Sequence, residues 1–246
     1  MTLDSETPFP RHISDRIVDS PPIGMAPRRA PLDGKFVRLE PVNPVAHLED
    51  LYAVCHADED ARKTRDFLPD GPWPEMSGFA AWLRDAAGRL DRVAFTIRDL
   101  ESGRATGMAQ YLDIAAAAGV IEIGYIWFGP TLKRTRGATE SMFLMIAHAM
   151  DDLDYRRMQW PCNSRNERSR RAARRLSFRF EGIIYNHVIV KGCNRNTAWY
   201  SILDDEWPEA RGLIATWLAD KIFDDGGRAK TSLSAAMVAR GAAASA

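Results

Sequence analysis

Apolar positions along the chain repeat with periods near two and near 3.6 residues, and the switches between them mark out strands and helices. Phe36 to Val42 reads as a strand, and Leu48, Leu51, Tyr52 and Cys55 then fall at helical spacing. A second helix is predicted from near Ser77, with Phe79, Trp82, Leu83, Ala86 and Leu90 as its stripe. Val93, Phe95 and Ile97 alternate as a strand, and Asp99 to Arg104 supplies a turn into another near Thr106 to Leu112. Val120 to Phe128 is almost continuously apolar, as a central strand covered on both faces would be.

A loop, GPTLKRTRG, separates that strand from a long helix with Phe143, Ile146, Ala147, Met150 and Leu153 on one face. Met158, Trp160 and Cys162 then alternate, so strand, loop, helix and strand make a parallel crossover unit. An Arg-rich helix, Glu167 to Leu176, leads into Phe178 to Val190 and Thr197 to Leu203, an expected antiparallel pair. The expected fold class is mixed α/β, a parallel core with antiparallel flanks. Residues 1–30 are rich in Pro and charge and read as a tail that drapes over the domain or stays mobile. The domain is expected over 31–218, and 219–246 as an extension, partly flexible, whose end drifts into Ala, Ser and Gly.

Composition narrows the function. Hydrophobic residues make up 46% of the 246 and charged residues 27%, ordinary for a folded domain. Lys plus Arg and Asp plus Glu are both 33, so the basic excess of a dedicated nucleic-acid binder is missing. No apolar stretch approaches the ~18 residues of a membrane span, and MTLDSETPFPRHISDR lacks a signal-peptide core. Cys55, Cys162 and Cys193 are odd in number and widely spaced, fitting neither a disulfide framework nor a metal knuckle. The five histidines form no HxxxH or HExxH pair. These features predict a cytoplasmic protein with reduced thiols and no metal.

The loop before the long helix carries candidate chemistry. Lys133, Arg134 and Arg136 precede Gly137, Ala138 and Thr139, where the helical pattern begins. A helix N-terminus offers unpaired amides and a positive dipole end to a phosphate, and neighbouring cations add charge-assisted contacts. A basic surface loop before an ordinary helix is the alternative. GYIWFGPTLKRTRGATESMFLMIAHAM resembles the coenzyme-binding segment of the GNAT superfamily of N-acetyltransferases, with its Q/R-x-x-G-x-G/A pyrophosphate loop. The RimJ/RimL branch is the most similar, and the likeness continues through NSRNERSRRAARRLSFRFEG. With Ala138-Thr139-Glu140 on the branch's ATE, Arg134 and Arg136 stand at its two loop glycines. Read instead as R-x-x-G-x-A, Arg134 to Thr139 keeps Gly137 and has Thr139 at the small position. Ser177 replaces the glycine that ends the branch's short helix.

The resemblance implies a GNAT fold: a mixed, mostly antiparallel sheet, flanked by helices, with one parallel strand pair at the coenzyme cleft. It implies acetyl-CoA as co-substrate, bound between the strands ending near Phe128 and Cys162. Pyrophosphate would lie on Arg134, Arg136, Gly137, Ala138 and Thr139, and main-chain amides of Ile126, Trp127 and Phe128 would hold pantetheine and polarise the acetyl carbonyl. Asn166 would bond the pantetheine arm and Ser169 donate to the departing sulfur, although both also suit helix capping. Arg175, one of seven arginines from Arg165 to Arg179, is the candidate for the 3′-phosphate.

An amine with a pKa of about 8 to 10 is largely charged at neutral pH, so transfer needs a base. Glu122, on the same strand as the amides, is preferred to His187, each with a plain solvated or half-buried alternative. The leading expectation is thus acetyl transfer from acetyl-CoA to a primary amine by direct attack in a ternary complex. The acceptor is a protein N-terminus or a small amine, with no nucleic-acid or membrane partner and a homodimer as one assembly. The competing expectation is a non-catalytic acyl-CoA sensor or interaction module.

Overall fold

The computed structural model describes residues 6–15, 17, 18 and 24–243, and the other positions of the expected tails lie outside it. Its strands are β1 (Leu32–Asp33), β2 (Val37–Pro41), β3 (Val93–Asp99), β4 (Ala105–Ala115), β5 (Val120–Phe128), β6 (Arg157–Asn163), β7 (Arg179–Val190) and β8 (Cys193–Leu203). They form one sheet in the order β1-β2-β3-β4-β5-β6-β8-β7. Every neighbouring pair is antiparallel except β5 and β6, the parallel pair predicted around the crossover. This is the GNAT arrangement.

Helices α1 (Leu48–His56), α2 (Glu59–Lys63) and α3 (Met76–Gly88) precede β3, and α4 (Arg136–Ala147) makes the crossover. α5 (Glu167–Arg175), α6 (Trp207–Trp217) and α7 (Leu233–Ala243) follow. Two apolar clusters show how the sheet is covered. Val37, Phe95, Ile121, Ile123, Met158 and Trp160 pack with Met142, Met145 and Ile214, the α4 and α6 side. Ala94, Met108 and Trp127 pack with Leu51, Phe79 and Leu83, the α1 and α3 side.

The predicted inward stripe of α4 and the turn after it is found in part: Ile146, Met150 and Leu153 are buried, but the helix is rotated toward Met142 and Met145. Met142, Met145 and Ile146 are buried, whereas Phe143 and Ala147 are half-buried and Phe143 meets Trp207 of α6. The shift follows from a buried carboxylate: Glu140 accepts the amides of Lys35, Phe36 and Val37 at 2.8, 2.7 and 2.9 Å, fixing the helix against the start of β2. A carboxylate is buried at tolerable cost only when such donors satisfy it.

α5 ends in a Schellman motif, with Phe178 N–H bonded to Ala173 O and Ser177 N–H to Arg174 O. Ser177 adopts the left-handed φ of 74° that a glycine would take, and its hydroxyl accepts from Arg240 of α7. The extension beyond 218 thus includes an ordered helix where composition predicts fraying: Leu233 and Met237 are buried. The N-terminal segment lies along β7, with Phe9 N–H on Phe180 O. Glu6 is buried between Arg170 and Tyr200, and Arg11 bonds Glu181, Ser201 and Glu206.

Candidate active site

The parallel pair is short. β5 and β6 pair only from Val120–Arg157 to Glu122–Gln159, and beyond that both strands run on unpaired with each other. A bulge on β5 accompanies the parting. Register against β4 jumps from Gly124–Gln110 to Trp127–Met108, so Tyr125 and Ile126 together face Ala109. Tyr125 takes a φ of 52° to make it. Gly129 N–H goes to Thr106 O on β4. Strand amides alternate in direction outside a bulge, so with Gly129 N–H on β4 the amide of its neighbour Phe128 falls on the opposite edge, toward the wedge. Ile126, Trp127 and Phe128, the three residues whose amides are expected to hold the thioester arm, lie at and just beyond the bulge.

The loop after β5 supports the phosphate reading. Arg134 has a φ of 63°, the conformation a loop glycine would provide. Thr135 is the N-cap of α4, and its Oγ1 accepts from Ala138 N–H at 3.1 Å while donating to Leu132 O. The amides of the first two helical residues, Arg136 and Gly137, have no backbone partner in the described residues and face the helix mouth. Gly137 is also required by packing, since a Cβ there would lie 2.9 Å from Val37 Cγ1.

The expected cations divide differently. The Arg136 guanidinium turns away from the mouth to Leu218 O and Asp220, between the rings of Phe36 and Phe223. It ties the C-terminal segment to the domain, leaving its amide for the loop. Arg175 donates to Thr139 Oγ1 at 2.9 Å and stacks on Trp217, and burial holds its pKa down. Lys133 and Arg168 meet across the cleft on one carboxylate, Asp60, at 2.7 and 2.6 Å. Those two bonds hold Asp60 down at about 2.

The other wall is the first turn of α5. Asn166 caps it, its Oδ1 accepting from Ser169 N–H at 3.1 Å. Ser169 Oγ accepts from Trp160 Nε1 at 2.9 Å and lies beside the Cys162 thiol, which burial pushes up to about 11. The thiol is a neutral wall rather than a nucleophile at physiological pH.

Glu122 is the perturbed acid of the site. It is 9% exposed, and burial, reinforced by the charge and hydrogen bond of Asp113, pushes its pKa up to about 8. Arg195, partly buried with an unpartnered Nε, and Arg92 pull the other way. Its side chain lies over Gly124, beside the bulge. His187 is exposed instead, its Nδ1 3.0 Å from Thr197 Oγ1 and its ring edge-on to Trp199.

Beside Gly124 on the α3 face is a cavity of about 260 Å³ among Asp70, Trp82, Arg92, Gln110 and Tyr125. Of the aromatics on predicted elements, Trp82 and Tyr125 line it, while Tyr111 is buried on the α4 side and bonds Met145 O. Asp113, Arg195, Gln110 and Asp70 escape a sequence reading because none has a motif: Asp113 and Gln110 meet Glu122 through the β4–β5 register, and Arg195 and Asp70 are distant from it along the chain. Gly124 did carry a signal, a glycine inside a strand, which marks a bulge or a close approach.

Residues 37–179 match the family described as "Acetyltransferase (GNAT) domain". No curated protein matches the chain by sequence. Among solved structures, a GCN5-related N-acetyltransferase from Brucella melitensis is 40% identical with a TM-score of 0.86, over 89% of this chain and 99% of that one. An acetyltransferase of the same family from Chromobacterium violaceum is 34% identical with a TM-score of 0.74, over 81% and 98%. The RimL ribosomal L7/L12 alpha-N-protein acetyltransferase is 16% identical with a TM-score of 0.61, over 73% and 99%, a likeness of fold.

Proposed function

The chain belongs to the GNAT acetyltransferase family, and we propose that it transfers an acetyl group from acetyl-CoA to a primary amine in a ternary complex. One observation carries the reading: the strand that bulges and parts from β6 also buries Glu122, its pKa about 8, next to the parting. The residues fit the coenzyme. The open amides at Arg136 and Gly137 and the left-handed Arg134 suit a pyrophosphate, and the wedge between β5 and β6 suits a narrow thioester arm.

Bound acetyl-CoA supplies the electrophilic carbonyl. Ile126 N–H donates to the carbonyl oxygen, which gains negative charge as the amine attacks, and Phe128 N–H holds the arm. Glu122 takes the proton of the acceptor ammonium, so that the nitrogen lone pair forms the new C–N bond as the C–S bond breaks. Ser169, its Oγ already accepting from Trp160, hydrogen-bonds its O–H to the departing sulfur and relays to it the second nitrogen proton, regaining its own from the nitrogen. Asn166 fixes that turn, and the acetylated amine and free coenzyme thiol are the products.

Incubation with acetyl-CoA and an amine panel while free thiol is monitored tests the reading. Amine-dependent thiol release is expected. Binding of coenzyme A in calorimetry without any thiol release across the panel would favour the sensor instead.

A further inference from the structure

The cavity beside Gly124 points to the kind of amine the protein accepts, an inference that rests on the transferase reading. Its volume, about 260 Å³, lies below the roughly 300–1,000 Å³ of pockets for drug-sized ligands. Two oxygens there have nothing to accept from. Gln110 is 1% exposed and its Oε1 is buried without a partner, a costly state for a polar group unless a ligand satisfies it. Asp70 receives Trp82 Nε1 at 3.1 Å and the Tyr125 hydroxyl, both on Oδ2, and no bond to Oδ1 is present among the described residues. Burial and Asp70 keep the Tyr125 phenol neutral by raising its pKa, so it serves Asp70 as a fixed donor.

The charges agree with the open acceptors. Arg89 and Arg92 at the rim share the single carboxylate of Asp91, at 2.7 and 3.1 Å. Asp70 and Asp85 line the cavity with no ion-pair partner among the described residues. Because Asp91, outside the lining, holds both guanidiniums, the Asp70 carboxylate is left for a ligand. Trp82 and Tyr125, stacked 5.7 Å apart, add aromatic surface that favours a cation. Gln110 pairs with Gly124, over which the Glu122 carboxylate lies, so the Gln110 side of the cavity is the one that leads toward the base.

We propose that Asp70 and Gln110 select a compact small-molecule amine, entering as its ammonium ion, and hold it beside Glu122. A polypeptide end needs room for the residues that follow it, and a zwitterion would set its carboxylate against Asp70 and Asp85.

Steady-state kinetics of the full chain with three acceptor sets test this: compact amino alcohols and alkylamines, free amino acids, and short peptides with unblocked N-termini. The compact cations should show kcat/KM at least ten-fold above the other two. Asp70→Asn keeps the acceptor for Trp82 and Tyr125 but removes the charge, and should raise amine KM ten-fold or more. Acetyl-CoA affinity should not change, and kcat should fall less than KM rises. Gln110→Met, similar in shape without the oxygen, should move KM the same way. Preference for peptides, or amine KM unchanged in both variants, overturns the proposal and leaves the transferase reading standing. Failure of the parent protein to bind acetyl-CoA in calorimetry defeats the transferase reading, and this one with it.

Discussion

The Glu122 carboxylate occupies the space a side chain on Gly124 would need: a Cβ there would sit 2.7 Å from Glu122 Oε1 and 2.8 Å from Leu112 Cδ1. Both obstacles are ends of flexible side chains, so Gly124→Ala should displace the carboxylate rather than the backbone. A misplacement of about 1 Å at a reacting group can cost roughly a hundred-fold. We expect kcat to fall ten-fold or more, with coenzyme affinity unchanged. Unaltered kcat would show that this placement of the carboxylate is not used.

Asp113 is a second control on the same group. It raises the Glu122 pKa by charge and by a hydrogen bond, behind burial. Its φ of 41° is left-handed, a conformation asparagine tolerates, so Asp113→Asn should preserve the turn. The acidic limb of kcat/KM should move to lower pH without reaching the ordinary carboxylate range, because burial persists. A pH–rate profile identical to the parent's would rule Asp113 out as a partner.

How much of this was legible depended on the range over which each feature is determined. The strand Val120–Phe128 and the α5 start at Glu167 fall where periodicity places them, because side-chain alternation is a local property. α6 also had a local signal, Pro208 in its first turn and Trp207, Ala210 and Ile214 inward, although the sequence reading assigns no helix there. The inward face of α4 was legible only in part, Ile146 being buried as its spacing predicts, because Glu140 is drawn in by the amides of residues more than 100 positions earlier. The motif placed a basic loop at the start of α4, where one is found, but could not tell that the Arg136 side chain leaves it for Asp220. The cavity was invisible in sequence. Asp70, Gln110 and Tyr125 meet only through the pairing of β4 with β5 and the segment that follows α2.

Glu140 should prove structural. Its two oxygens accept three amides and the residue is 7% exposed. Hydrogen bonds to charged groups are worth about 1.5–3 kcal/mol each, and an amide –NH2 in place of one oxygen would oppose backbone N–H groups. Glu140→Gln should cost roughly 2–4 kcal/mol in denaturant unfolding. A loss below about 0.5 kcal/mol would contradict this role for the carboxylate.

Glu122→Gln should separate activity from stability. General-base contributions are typically ~100- to 10,000-fold, so kcat should fall at least roughly ten-fold while coenzyme affinity holds. The acidic limb of kcat/KM, expected near the pKa of about 8, should disappear with it. His187→Ala should keep the limb and change mainly acceptor affinity, and the reverse pattern would make the histidine the base. Stability should move the other way. The folded protein keeps this carboxyl protonated up to about 8, whereas the unfolded chain releases the proton near its usual 4.5. The folded state therefore binds more protons between those values, and stability falls as pH rises through the window. The contribution is complete below about 4.5 and gone above about 8, a change on the order of a few kcal/mol. Glutamine has no proton to lose, so the variant should gain in Tm over the parent at pH 8 to 9 by roughly a few kcal/mol of stability, the gap closing toward pH 5. Parallel Tm–pH curves for parent and variant would mean that Glu122 titrates normally, and the assignment of the base would go with it.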